Sequence, residues 1–139
     1  MVDMVQVSRI LLQQPEVAGW PAMQAVWQHY AKNPGPWRLP ELACQAVGGD
    51  VQVVTPLVTA AACCHISIVL VDDILDDDPK GMYRQLGAGV AANLALAFQA
   101  AAYRIVQQMK LDAVPQMVAA LGFLNNKTAQ GAHLDVQQE

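Results

Sequence analysis

The chain has 139 residues, a formal net charge of −4, and a composition that is 54% apolar and 14% charged. So much apolar side chain at this length builds a real hydrophobic core and excludes a disordered chain. Eight Lys and Arg scattered singly leave no basic stripe for nucleic acid.

The chain reads as helices punctuated by Pro and Gly. Apolar residues at Val2, Val5, Ile10 and Leu12 suggest a helix over 2–14, with no basic segment leading into an apolar core as a signal peptide requires. "WPAMQAVWQHYAK" predicts a second helix over 20–32, with Pro21 suited to its first turn, and "NPGPW" breaks it. A third helix is expected over 39–47, ended by Gly48-Gly49. The longest runs over 50–78, with Pro56 near its start. A loop follows to Leu86, then an Ala-rich helix over 87–110, then two more over 115–124 and 125–139. Period-two alternation is missing, so the fold class is all-α.

Residues 51–71 are long enough to span a bilayer. Gln52, Thr55, Pro56, Thr59, His65 and Ser67 interrupt them, and acid rather than Lys or Arg follows. Polar groups are costly in lipid, so a buried core helix is expected and no membrane span. Cys44, Cys63 and Cys64 are odd in number and lack zinc spacing. They read as small buried residues in a reducing, cytoplasmic setting.

"VLVDDILDDDPKG" places five aspartates within seven residues, at Asp72, Asp73, Asp76, Asp77 and Asp78, at the C-terminal end of the long helix. The helix dipole disfavours acid there by roughly 0.3–1 kcal/mol per residue, and like-charge pairs at i,i+4 add a few tenths. Such a cluster calls for a cation. D-D-x-x-D sets carboxylates a turn apart, which suits Mg²⁺, an ion held by a few carboxylates and completed by water and substrate phosphate. A calcium loop of the EF-hand type does not fit, because the alternating acids and central glycine are missing. Gly87 and Gly89 follow no strand and are not read as a phosphate loop. His29 and His133 are read as structural.

His65 stands seven residues before Asp72, after "LACQAVGGD" and before "AANLALAF" and "GAHLD". In this register the chain resembles the N-terminal half of the trans-isoprenyl diphosphate synthases, over roughly 39–135. The resemblance implies an antiparallel helix bundle around an apolar cavity. It implies a Mg²⁺-dependent prenyltransferase that condenses an allylic diphosphate with isopentenyl diphosphate. Asp72 and Asp76 would hold Mg²⁺ and Asp73 would orient metal or water. His65, Arg38, Lys80 and Arg84 would bind substrate. Ser67 and Ile68 would lie under the growing chain and, being non-aromatic, allow products of twenty carbons or more; Phe98 is an alternative floor. A homodimer through the Ala-rich helix is also implied.

Four departures accompany the resemblance. Pro36 and Trp37 replace basic residues of a Gly-Lys-Arg segment, "PKGMYRQ" replaces Arg-Arg-Gly, and Ala132 replaces a glutamine. The family's second aspartate-rich motif and lysine-bearing helix are not found. The chain is therefore expected to be a partial domain, with N-terminal helices over 1–37 and core helices over 38–139, and to be inactive alone. The alternatives are a non-catalytic scaffold subunit of a prenyltransferase and a terpene cyclase-like enzyme that needs no isopentenyl diphosphate.

Overall fold

The computed structural model describes residues 1–138, which contain eight α-helices, two short 3₁₀ turns and no strand. The all-α expectation holds. Helix α1 (Met4–Leu12) is capped by Asp3, whose carboxylate accepts the Val5 N–H at 2.9 Å. Helices α2 (Pro15–Ala18) and α3 (Pro21–Tyr30) each open on a proline, where the missing N–H deprives the helix of nothing. The "NPGPW" segment is a 3₁₀ turn, Gly35–Arg38, leading into α4 (Leu39–Ala46).

The long helix is shorter at both ends than its pattern predicts. Residues Val51–Val54 form a separate 3₁₀ turn, and α5 covers Thr55–Leu75. Pro56 cannot accept a helical turn before it, so it sits in the first turn and sets the start. The loop before the Ala-rich helix contains a short helix, α6 (Tyr83–Leu86), and α7 covers Ala88–Gln107. The two predicted C-terminal helices are one, α8 (Val114–Gln138). No proline or glycine interrupts 123–126, and Asn125 continues the helix while its amide donates to the Tyr103 hydroxyl at 3.3 Å.

Helices α5 and α7 pack along most of their length and form the centre. Either is long and apolar enough to cross a membrane, but each contributes a buried face to the core: Val58, Ala62, Ile66 and Leu70 from α5, Ala91, Leu94, Phe98 and Ala102 from α7. Small alanines let the two backbones approach closely. Val7 and Leu11 of α1, Met23 and Trp27 of α3, and Trp37 join the same continuous core, so 1–37 is not packed as a unit apart from the rest. Trp27 and Trp37 stack at 4.9 Å between ring centres with 22° between planes, and both are buried. The Trp27 indole N–H donates to Ser8 Oγ at 3.1 Å. Glu41, also buried, accepts the Val2 N–H at 3.0 Å and lies 3.4 Å from Arg38.

Candidate functional site: the acidic end of the long helix

The last residues of α5 end in a Schellman motif. The Asp78 N–H donates to the Asp73 carbonyl at 2.9 Å and the Asp77 N–H to that of Ile74 at 3.3 Å. Asp77 takes the left-handed position (φ 52°), which aspartate tolerates better than most non-glycine residues. The helix thus stops before the last three aspartates, and the cluster is split by geometry. Asp72 and Asp73 lie in the final turn, Asp76 caps it, and Asp77 and Asp78 belong to the loop.

The chain then folds back over the helix end. Gly81 is buried against it, and a methyl group there would come within 2.8 Å of Asp73 Cβ and of the Tyr83 ring. Asp77 is engaged internally: it accepts from the Tyr83 hydroxyl at 2.7 Å and from Arg84 at 2.6 Å. The Asp78 carboxylate accepts the Lys80 backbone N–H at 2.8 Å. Asp72 and Asp76 make no ion pair among the described residues.

Asp72 and Asp73 look in different directions, as adjacent helical residues must. Burial, followed by the charges of Asp76 and Asp135, pushes the Asp72 carboxyl above the usual range. Burial and the charges of Asp78, Asp72 and Asp76 do the same for Asp73. Asp73 also lies near Tyr30 of α3, whose phenol is pushed up to about 12 by burial and then by that carboxylate. Asp72 therefore shares its side with Asp76 and with Asp135 of α8.

Beneath Asp72 a cleft of about 170 Å³ opens between α5, α7 and α8. Ser67, Ile68 and Val71 line one wall, Ala92, Ala95, Leu96 and Gln99 the second, and Asn125, Thr128, Ala129 and Ala132 the third. Both residues expected under a growing chain, Ser67 and Ile68, are in this cleft with Asp72. Phe98 is fully buried in the core and does not line it.

The expected substrate-binding residues are arranged differently. Trp37 donates its indole N–H to Nδ1 of His65 at 3.2 Å, which makes that nitrogen an acceptor and the ring neutral. Burial holds the His65 pKa below its ordinary value. Arg38 is drawn to Glu41 at 3.4 Å, and Arg84 to Asp77. Lys80 is exposed beyond the helix end. Sequence reasoning did not single out Gln99, Asn125, Glu41 or Tyr83, because nothing in their spacing ties them to α5.

Mg²⁺ needs only one or two carboxylates when phosphate oxygens and water complete its shell. Among the described residues no three His, Cys, Asp or Glu side chains converge into a ready-made metal cage. Asp72, which lines the cleft, and Asp76, the C-cap residue four positions on, are the carboxylates that would supply such an ion with its protein oxygens. No family model, curated protein or solved structure matches the chain.

Proposed function

We propose that this chain is the part of a Mg²⁺-dependent prenyltransferase that binds an allylic diphosphate, with Asp72 and Asp76 as metal ligands and the apolar cleft below them receiving the prenyl chain. The observation that carries the reading is that Asp72, which makes no ion pair among the described residues and is followed by Asp76 four residues on, lines the mouth of an apolar cleft. Magnesium would neutralise the diphosphate so that it can leave, and would bring a phosphate-bearing ligand to an acidic surface that otherwise repels it. Asp72 and Asp76 would hold the ion. The walls of α5, α7 and α8 keep the chain and any allylic cation away from water. Condensation with isopentenyl diphosphate is the reaction this arrangement serves in the family the chain resembles.

A second reading is supported by the basic residues. Arg38 and Arg84 are both paired with acids of this chain, and His65 bonds Trp37. A scaffold subunit that has lost the grip on isopentenyl diphosphate fits these pairings. Calorimetric titration with a non-hydrolysable allylic diphosphate separates the readings. Mg²⁺-dependent binding that Asp72→Ala or Asp76→Ala abolishes supports the first. Equal titrations with and without Mg²⁺, unchanged in both variants, refute it.

A further inference from the structure

The 3₁₀ turn Gly35–Arg38 and the α4 helix after it are lightly held. Glu41 is the one buried residue of α4, and Leu39 and Leu42 stand exposed. Among the described residues, two side-chain hydrogen bonds tie this segment to the rest of the chain. Glu41 accepts the Val2 N–H at 3.0 Å, and Trp37 donates its indole N–H to Nδ1 of His65 on α5 at 3.2 Å. The bonds of Arg38 and Gln45 to Glu41 stay within the segment. Trp37 adds its stack on Trp27 and is buried, while His65 is half-buried and within reach of water.

We infer that this segment is a flap latched to α5 by the Trp37–His65 bond, and that protonation of His65 opens the latch. An indole N–H can only donate, and an imidazolium carries a hydrogen on both nitrogens. The proton and the bond therefore compete for one lone pair on Nδ1. Protonation leaves the buried indole N–H without its acceptor, which weakens the closed state about 5- to 150-fold. Burial holds the His65 pKa below its ordinary value of 6.5. The latch is thus complete above pH 6.5 and is lost as pH falls through the lowered value. The titratable groups on elements packed against α5 are Arg9 of α1, Arg38 of the turn, Glu41 and Cys44 of α4, and Tyr83 and Arg84 of α6. To these α7 adds Tyr103 and Arg104, α8 adds Lys127, His133 and Asp135, and α5 itself carries Cys63, Cys64, Asp72 and Asp73. Burial, and none of these charges, displaces the His65 pKa. Glu41, whose carboxyl is held below 4.5, keeps its charge and its tie to Val2 while the latch opens. The device is independent of the ligand proposed for Asp72.

The test uses the full 139-residue chain. Hydrogen exchange over residues 35–46, corrected for the intrinsic effect of pH on exchange, is followed by mass spectrometry from pH 7.5 to pH 5. The expected result is that protection of this segment falls about 5- to 150-fold on acidification while that of α7 is unchanged. His65→Asn keeps an acceptor oxygen near the Nδ1 position and takes up no proton, so its segment should stay protected throughout. In an NMR titration of the unmodified chain, the Trp37 indole proton, identified by its absence from Trp37→Phe, should move with the same midpoint as His65, below pH 6.5. Equal losses of protection in the unmodified chain and in His65→Asn overturn the inference, as does protection that survives the His65 titration. A Trp37 indole resonance that stays fixed while His65 titrates overturns it as well, and that arm reads the unmodified chain should His65→Asn fail to fold.

Discussion

At Asp72 and Glu41 the same physics acts with opposite sign. The Asp72 carboxyl is held above the usual range by burial and by Asp76 and Asp135. The folded state then binds more protons than the unfolded one, so stability falls as pH rises from about 3.8 through the raised value. Asp72→Asn is expected to stabilise the chain at pH 7 by about 0.3–1 kcal/mol, reduced by solvent screening because the residue is exposed. The gain disappears below pH 3.8, where both carboxyls are neutral. Thermal unfolding at pH 3 and pH 7 checks it, and a gain that persists at pH 3 would point to helix propensity instead. For Glu41 burial pushes upward. The Val2 N–H, the Arg38 guanidinium and the N-terminal ammonium outweigh it, and its carboxyl is held below the usual range. Its stabilisation is present above the unfolded value of 4.5 and is lost as pH falls through the folded one. Glu41→Gln should therefore lower the melting temperature at neutral pH, with a difference that shrinks on acidification; a difference independent of pH would show that charge is not the cause.

At the scale of the element, α5 is ended by a structure rather than by its composition. The left-handed Asp77 and the buried Gly81 fold the acidic loop back onto the helix, and the Tyr83 and Arg84 bonds hold it there. Gly81→Ala is expected to destabilise the chain by about 1–3 kcal/mol, because the new methyl group meets the Asp73 Cβ and an aromatic ring and neither can move freely. Denaturant titration measures it. A loss under about 0.5 kcal/mol would mean that the loop relaxes at little cost. The 3₁₀ turn before α4 is anchored by the Trp27–Trp37 stack and the bond to His65. Truncating a buried tryptophan costs roughly 3–5 kcal/mol, so Trp37→Ala should remove much of a stability of about 5–15 kcal/mol. On α5 itself, Ser67→Phe fills the cleft below Asp72. On the proposed function it should shorten the products, expected at twenty carbons or more for the unmodified protein, which product chromatography reads directly. An unchanged product distribution would show that this wall does not set the length.

Across the whole molecule the surface is large. The accessible area is 8148 Å², against roughly 7,000 Å² for a compact monomer of this size. Helix α8 has no buried residue and exposes Phe123, Leu124 and Leu134, while α4 exposes Leu39 and Leu42. Helix α7 leaves Val90 exposed, and Leu96 is exposed on the wall of the cleft. The alanine-rich composition of α7 and these exposed side chains motivate the expectation of a homodimer in solution. Light scattering after size-exclusion chromatography should give twice the chain mass, and Val90→Glu should shift it toward the monomer. A monomeric mass for the unmodified chain counts against the dimer.

How much of this was legible in the sequence differs from feature to feature. Helical class, the Gly48-Gly49 stop and the separation of His65 from Asp72 follow from local rules. Proline lacks an N–H, glycine reaches positive φ at Gly48 (φ 71°), and a helix repeats every 3.6 residues. Those rules act within a few residues, so the chain alone determines their outcome. They did not reveal that α5 stops at Leu75, that α8 is continuous, or which acids remain free. Arg84 goes to Asp77 and Arg38 to Glu41, while Asp135 approaches Asp72 from about sixty residues away. The Trp37 bond to His65 is of the same kind. Each depends on which helices pack together, and packing is settled by the shapes of many distant side chains at once. The sequence by itself determined where the charge is concentrated; only the tertiary structure decided which part of that charge is neutralised within the chain and which faces the cleft.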